Sequence, residues 1–273
     1  MINQFVICVL LVFTTWPALA QTESLKTVDP TNPFAKLTGQ VTQFGYEEKG
    51  YGNAFVVGAD GCHILTNFHV AFGTGRSPVT GQMQVMHNAD IGHAVNFSFE
   101  LDPDSGKFRR SMKATVAELG DYGIGSATGL LGDIAILRLE NCLGKSYGFL
   151  EIDRPPPHKG VPTNRLMTVR LSKTASGGNE VIVELGCRAL EGTNVFGMMP
   201  SNCDTPPGSS GSMVLEEGAD GKWRLVGLTT EQIVHADGRK FSKALYANTI
   251  NKLLDPILGT TPPTESSSSV TRR

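Results

Sequence analysis

Three short stretches carry residue types that, brought together, can open a carbonyl bond. The first, Cys203-Asp204-Thr205-Pro206-Pro207-Gly208-Ser209-Ser210-Gly211-Ser212-Met213-Val214, sets hydroxyl residues between glycines just ahead of an apolar run. Glycine lets the backbone take φ > 0 and approach a substrate closely, so the amides of Gly208 and Ser210 can converge on one point where negative charge develops. Taken alone, the same run is compatible with an ordinary Pro/Gly/Ser turn. The second stretch carries His69 directly after the apolar segment His63–Asn67 and before Phe72-Gly73-Thr74-Gly75. A histidine at a strand's exit can present its imidazole to a cleft, or it can be structural. In the third, Asp133 opens the apolar run Ile134-Ala135-Ile136-Leu137-Arg138-Leu139, where an acid can orient a base or simply cap a turn. Acyl transfer needs a nucleophile, a base to take its proton and a buried carboxylate to fix the base's tautomer. Ser210, His69 and Asp133 supply the three, in the chain order His, Asp, Ser.

Positioning such groups requires a rigid frame, and the pattern of short apolar segments supplies one. Segments recur between Gly, Pro, Asn and Asp clusters at Gly39–Phe44, Asn53–Val57, His63–Asn67, Gln82–Met86, Ala94–Phe99, Ala114–Leu119 and Ile134–Leu139. Several alternate with period two or are rich in β-branched residues, which reads as strand. Pro155-Pro156-Pro157 followed by His158-Lys159-Gly160 interrupts the series. A second series follows at Leu166–Leu171, Glu180–Leu185, Thr193–Gly197, Ser212–Leu215, Trp223–Thr230 and Lys240–Ala247. The count predicts an all-β fold of two antiparallel six-stranded β-barrels, over residues 36–154 and 155–258. Ile250, Leu253, Leu254 and Ile257 at helical spacing predict a C-terminal helix over Tyr246–Leu258. Residues 21–35 read as a flexible leader and 259–273 as a disordered tail.

Composition narrows the partners. The chain has 273 residues, 40% of them hydrophobic, and a net charge of −2. No basic field for nucleic acid or anionic lipid is present. Phe5 to Ala18 is apolar and ends in Ala18-Leu19-Ala20, so residues 1–20 read as a signal peptide, with an uncleaved anchor as the alternative. Its removal leaves Cys62, Cys142, Cys187 and Cys203 in a chain bound for an oxidising compartment, secreted or periplasmic, with no further membrane contact. An even count suggests two disulfides, and four cysteines allow three pairings. No Cys-x-x-Cys or paired-His spacing points to a metal, and no cofactor is implied.

The order His69, Asp133, Ser210, with Thr66-Asn67-Phe68-His69, Asp133-Ile134-Ala135-Ile136-Leu137 and Gly208-Ser209-Ser210-Gly211-Ser212 around them, resembles the trypsin-like, chymotrypsin-fold serine proteases. The likeness runs from about Gly39 to Leu258 and differs from the nucleophile elbow of α/β-hydrolases, where serine comes first and histidine last. It is closest to the bacterial glutamyl-endopeptidase-like and high-temperature-requirement-like branches, although no PDZ-like segment follows. The resemblance implies Ser210 as nucleophile, His69 as general base and then acid, Asp133 as its orienting partner, and Gly208 and Ser210 as oxyanion-hole donors. It implies a polypeptide substrate. Thr230, in Leu225-Val226-Gly227-Leu228-Thr229-Thr230, falls where a hydroxyl supports the triad aspartate. There are departures: Ser209 stands where animal-type enzymes carry an aspartate, no Ile-Val-Gly-Gly start is present, and Val70 rather than cysteine follows the histidine.

In that fold the strand entering the histidine lies beside the strand leaving the aspartate, which implies Cys62–Cys142 and, by remainder, Cys187–Cys203. Asp204 and Thr205, just ahead of the nucleophile loop, and Thr229 and Thr230 on the pocket strand are the candidate substrate-binding residues. Asp204 is either an acid at the base of the primary pocket, selecting Arg or Lys, or a turn cap. Thr229 stands where the glutamate-preferring branch carries histidine. The main functional expectation is a serine endopeptidase working through an acyl-enzyme. The alternatives are a protease-fold binding or scaffold protein with a silent triad, and an esterase using the same chemistry.

Overall fold

The computed structural model describes residues 25–28, 32–43, 51–58, 60–76, 83–85, 90–120, 132–148, 150, 165–190, 198–234 and 240–246. The signal segment, the Pro155–Gly160 boundary, the strand expected at Thr193–Gly197, nearly all of the C-terminal helix and the tail lie outside them. Among the described residues the architecture is all-β with two short helices and one 3-10 turn.

The first unit is a closed barrel. Its strands are β2 (Thr38–Gln43), β3 (Tyr51–Val57), β4 (His63–Thr66), β7 (Ala94–Asp102), β8 (Lys107–Leu119) and β9 (Ala135–Leu139). They close in the order β2-β3-β4-β9-β8-β7, every pair antiparallel. Along β7, Val95, Phe97 and Phe99 are buried while their neighbours are partly exposed, so strict alternation fills the interior. A small hairpin, β5 (Thr74–Arg76) with β6 (Met83–Val85), sits outside the barrel.

The second unit departs in detail from the expected six-stranded barrel. It is a seven-stranded sheet in the order β1-β11-β10-β13-β14-β15-β12, from β1 (Leu25–Val28), β10 (Leu166–Lys173), β11 (Asn179–Cys187), β12 (Met198–Ser201), β13 (Met213–Glu217), β14 (Trp223–Val234) and β15 (Lys240–Tyr246). The extra strand comes from the stretch read as a flexible leader. Leu25–Val28 pairs antiparallel with Ile182–Leu185, adding four residues to an open edge too short to register as a strand by pattern. Both expected disulfides are present. The β4–β9 pairing, His63 opposite Arg138 and Thr66 opposite Ala135, brings Cys62 and Cys142 to one end, and Cys187 joins Cys203.

Asn53 ties the two units together. Its main-chain N–H donates to Ser210 O at 2.7 Å, its Nδ2 donates to Gly208 O at 2.8 Å, and its Oδ1 accepts from Leu171 N at 2.6 Å. Thr66 Oγ1 donates to its carbonyl at 2.6 Å. Truncation to Ala leaves the buried Leu171 amide and the part-buried Gly208 carbonyl without this partner; the buried group costs about 1–3 kcal/mol and the part-buried one, which water can reach, less. Asn53→Ala is therefore expected to lower the urea midpoint and to speed amide hydrogen exchange across 208–212; unchanged exchange there would assign the bridge no role in holding the loop.

His63, at the start of β4, is buried, and burial lowers its pKa from 6.5, with Arg138 acting in the same direction and Asp60 opposing. The unfolded chain thus binds a proton more readily than the folded one, so stability is lost as pH falls below about 6.5 toward the lowered folded value. Urea midpoints taken from pH 7.5 to 5 are expected to decline less steeply in His63→Gln than in the wild type; equal slopes would assign the loss to other groups.

Candidate active site

His69 lies on a single helical turn, α1 (Phe68–Phe72), that starts where β4 leaves the barrel. Asn67 occupies the cap position in extended geometry, but its side chain does not cap the turn. Instead Asn67 Nδ2 donates to the main-chain carbonyl of Asp133 at 2.8 Å. The Asp133 carboxylate takes the capping role: Oδ1 accepts from His69 N at 3.1 Å. The same carboxylate accepts from His69 Nδ1, at 2.8 Å to Oδ2 and 3.0 Å to Oδ1. Asp133 is 1% exposed. One buried acid therefore holds both the backbone and the ring of His69. At the other end of the turn Gln43 Nε2 donates to Val70 O at 3.1 Å.

Ser210 comes from the loop between β12 and β13. Gly208 at φ +90° and Gly211 at φ +82° set its shape. A Cβ on Gly211 would stand 1.9 Å from Asn53 O, so the loop packs on β3 only because glycine is there. Ser209 N donates to Pro206 O at 3.0 Å, Ser212 N to Ser209 O at 3.1 Å, and Gly211 N to Thr229 O at 3.0 Å. Among the described residues the N–H groups of Gly208 and Ser210 donate to no acceptor, as an oxyanion-binding pair requires. The Ser210 hydroxyl donates to Thr230 O at 3.2 Å and forms no hydrogen bond with His69.

Thr230 departs from its sequence reading. Its hydroxyl donates to Lys243 O at 3.1 Å and not to Asp133. The register of β14 against β15 slips between Thr229 and Glu231, so Thr230 faces a carbonyl of β15 across the irregularity. The support expected from this hydroxyl comes from Asn67 and the His69 main chain.

Beside Ser210 a cavity of about 200 Å³ is lined by Thr205, Pro206, Ser209, Thr229, Thr230 and Gln232, among others. Thr205 and Thr229 line it as the sequence suggests, and Asp204 does not. The Asp204 carboxylate pairs with Lys26 of β1 and lies 3.8 Å from Arg170 Nη2, while its main-chain N–H donates to Glu184 at 2.9 and 3.0 Å. Arg170 is 2% exposed, and burial lowers its pKa against the pull of Asp204, Glu184 and Glu180. Sequence reasoning missed Asn53, Asn67, Gln232 and the Lys26–Arg170–Glu184 cluster. Gln232 had a signal, since the β-branched run Leu225–Thr230 continues as strand to Val234.

The trypsin-like peptidase domain family matches residues 52–228. No curated protein sequence matches the chain. Among solved structures, a Glu endopeptidase in complex with MPD aligns at 13% identity with a TM-score of 0.53, over 87% of this chain and 97% of that one. The protease Anisep from Arthrobacter nicotinovorans aligns at 12% identity with a TM-score of 0.54, over 86% and 100%. The thermostable serine protease AL20 from an extremophilic microorganism aligns at 12% identity with a TM-score of 0.53, over 84% and 100%. At such identities the likeness is one of fold, whereas the family match spans most of both units: the chain belongs to the trypsin-like peptidase domain family.

Proposed function

We propose that the chain is an exported serine endopeptidase that cleaves peptide bonds through an acyl-enzyme. The observation that carries this reading is the doubly held His69, its Nδ1 at 2.8 Å from a buried carboxylate, on the same molecule as a serine loop with two uncommitted amides. In the reaction Ser210 Oγ attacks the scissile carbonyl carbon and passes its proton to His69 Nε2. The carbonyl π pair moves to oxygen, and the oxyanion is taken by the amides of Gly208 and Ser210, each such donor being worth about 3 kcal/mol of transition-state stabilisation. Asp133 stabilises the imidazolium without becoming protonated. Imidazolium then protonates the leaving amine as the C–N bond breaks, and a water deacylates the ester by the same route in reverse. The two disulfides support passage through an oxidising compartment, with residues 1–20 as the export signal.

One observation favours a second reading, a protease-fold binding protein with a silent triad: the Ser210 hydroxyl is committed to Thr230 O. Catalytic hydrogen bonds often form only once substrate is bound, so this contact ranks below the His69–Asp133 geometry. A fluorophosphonate probe separates the two. The wild type is expected to be labelled, Ser210→Ala not at all, and His69→Ala at least roughly a thousandfold more slowly. Absence of labelling in the folded wild type at neutral pH would favour the binding protein.

A further inference from the structure

The segment read from sequence as a leader reaches the serine loop through one side chain. Lys26 of β1 stands opposite Glu184 of β11, and its Nζ donates to the Asp204 carboxylate. Asp204 follows Cys203 of the second disulfide directly and precedes Ser210 by six positions. Its main-chain N–H donates to both Glu184 oxygens, and its carboxylate lies 3.8 Å from Arg170 Nη2. Arg170 is buried and faces three carboxylates, Asp204, Glu184 and Glu180. With Lys26 in place two cations stand against three anions; without it Arg170 stands alone against the three. The excess negative charge then favours turning the Asp204 carboxylate out toward water, since Glu184 is fully buried and cannot follow.

A shift of Asp204 does not stay local. Pro206 and Pro207 lie between it and Gly208, and two fixed φ angles carry a displacement onward to the Gly208 amide and Ser210 rather than absorbing it. The Lys26 and Asp204 side chains are 44% and 32% exposed, and pairs so open to water contribute little to global stability. What this pair governs is where Asp204 stands. The same end of the chain is also built into the core: Ala35 and Leu37 are buried, Phe34 packs against the core, and Phe34 N donates to Asn32 Oδ1 at 2.9 Å. A cut between Val28 and Ala35 would leave a four-residue strand to rebind from solution, with the entropy of association no longer spared by the tether.

We infer that β1 is a retained part of the working protein and not a pro-segment, and that Lys26 is a positioning residue: it holds Asp204 and, through Asp204, the serine loop. A maturation cut therefore falls before Leu25, and a cut between Val28 and Ala35 switches the protein off. The inference rests on Ser210 being the nucleophile.

Two measurements on the full chain test it. Intact mass of the exported protein that a fluorophosphonate probe has labelled is expected to place its N-terminus at or before Leu25; labelled protein that begins beyond Val28 would overturn the inference. In Lys26→Met the labelling rate at saturating probe is expected to fall about tenfold, with the half-saturating concentration within about twofold of the wild type, because a displaced nucleophile slows the step more than it weakens binding. Lys26→Arg, which keeps the charge, is expected to restore the rate. Amide hydrogen exchange in Lys26→Met is expected to speed over residues 203–212 and to stay unchanged in the barrel, with Tm held. An unchanged labelling rate, a loss that Lys26→Arg does not restore, or a loss matched by a lower Tm and faster exchange throughout would each overturn it. If the wild type is not labelled at all, the peptidase reading fails and exchange alone decides: faster exchange confined to 203–212 in Lys26→Met keeps the hold of β1 on the loop, and unchanged exchange there removes it.

Discussion

Asn53, through its main chain and its carboxamide, fixes the serine loop and strand β10 of one half of the molecule to strand β3 of the other. His69 and Asp133 belong to the barrel and Ser210 to the seven-stranded sheet, so their relation depends on how those bodies are joined. The proton transfer proposed between them tolerates displacements of only about half an ångström. Asn53 meets this with three bonds outward, to Ser210 O, Gly208 O and Leu171 N, and one inward, from Thr66. Thr66 is followed by Asn67, which anchors Asp133, and then by the turn that carries His69. A short relay of polar contacts thus runs from the serine loop to the imidazole, buried at Thr66, Asn67 and Asp133 and partly open to water at its two ends; in its buried middle each bond is worth more than it would be at the surface.

A second constraint is electrostatic. Arg170 is almost wholly buried, and a buried guanidinium is tolerable only beside anions. Asp204 and Glu184 supply them. Their commitment to Arg170, and that of Asp204 to Lys26, fixes the segment entering the serine loop from beneath, while the Cys187–Cys203 bridge fixes it one residue earlier. The loop is therefore held on three sides: by a disulfide, by ion pairs and by Asn53.

Much of this was legible in the sequence, and what escaped has a physical cause. The strands of the barrel follow from period-two alternation, as in Val95, Phe97 and Phe99, because one face of each strand must be apolar. The three chemical residues stood out because each lies at a strand end, flanked by glycine or by an apolar run. The first disulfide followed from the pairing of β4 with β9 that the family resemblance implies, and the second by remainder. Contacts that depend on long-range juxtaposition did not show: Asn53 and Leu171 lie far apart in the chain, and neither residue type announces the bond. The destination of the Thr230 hydroxyl was likewise hidden, since it turns on a register slip that no composition signals. Strand β1 was missed because four residues of mixed polarity carry too little pattern, and its pairing is decided by an edge built from residues past the chain's midpoint.

That strand bears on the order in which the molecule can assemble. Leu25 is paired with Leu185 and Val28 with Ile182, so the earliest described segment has no partner until the chain has been made well past its midpoint. Pairings across such separations close slowly, because the loop entropy must be met before the contact rewards it. Until then β11 presents a bare edge, the kind that invites pairing with another chain. The barrel, whose strands all lie within 38–139, can close while that edge is still waiting. The first described strand is thus expected to dock late, and its arrival both covers the edge of β11 and delivers Lys26 to Asp204.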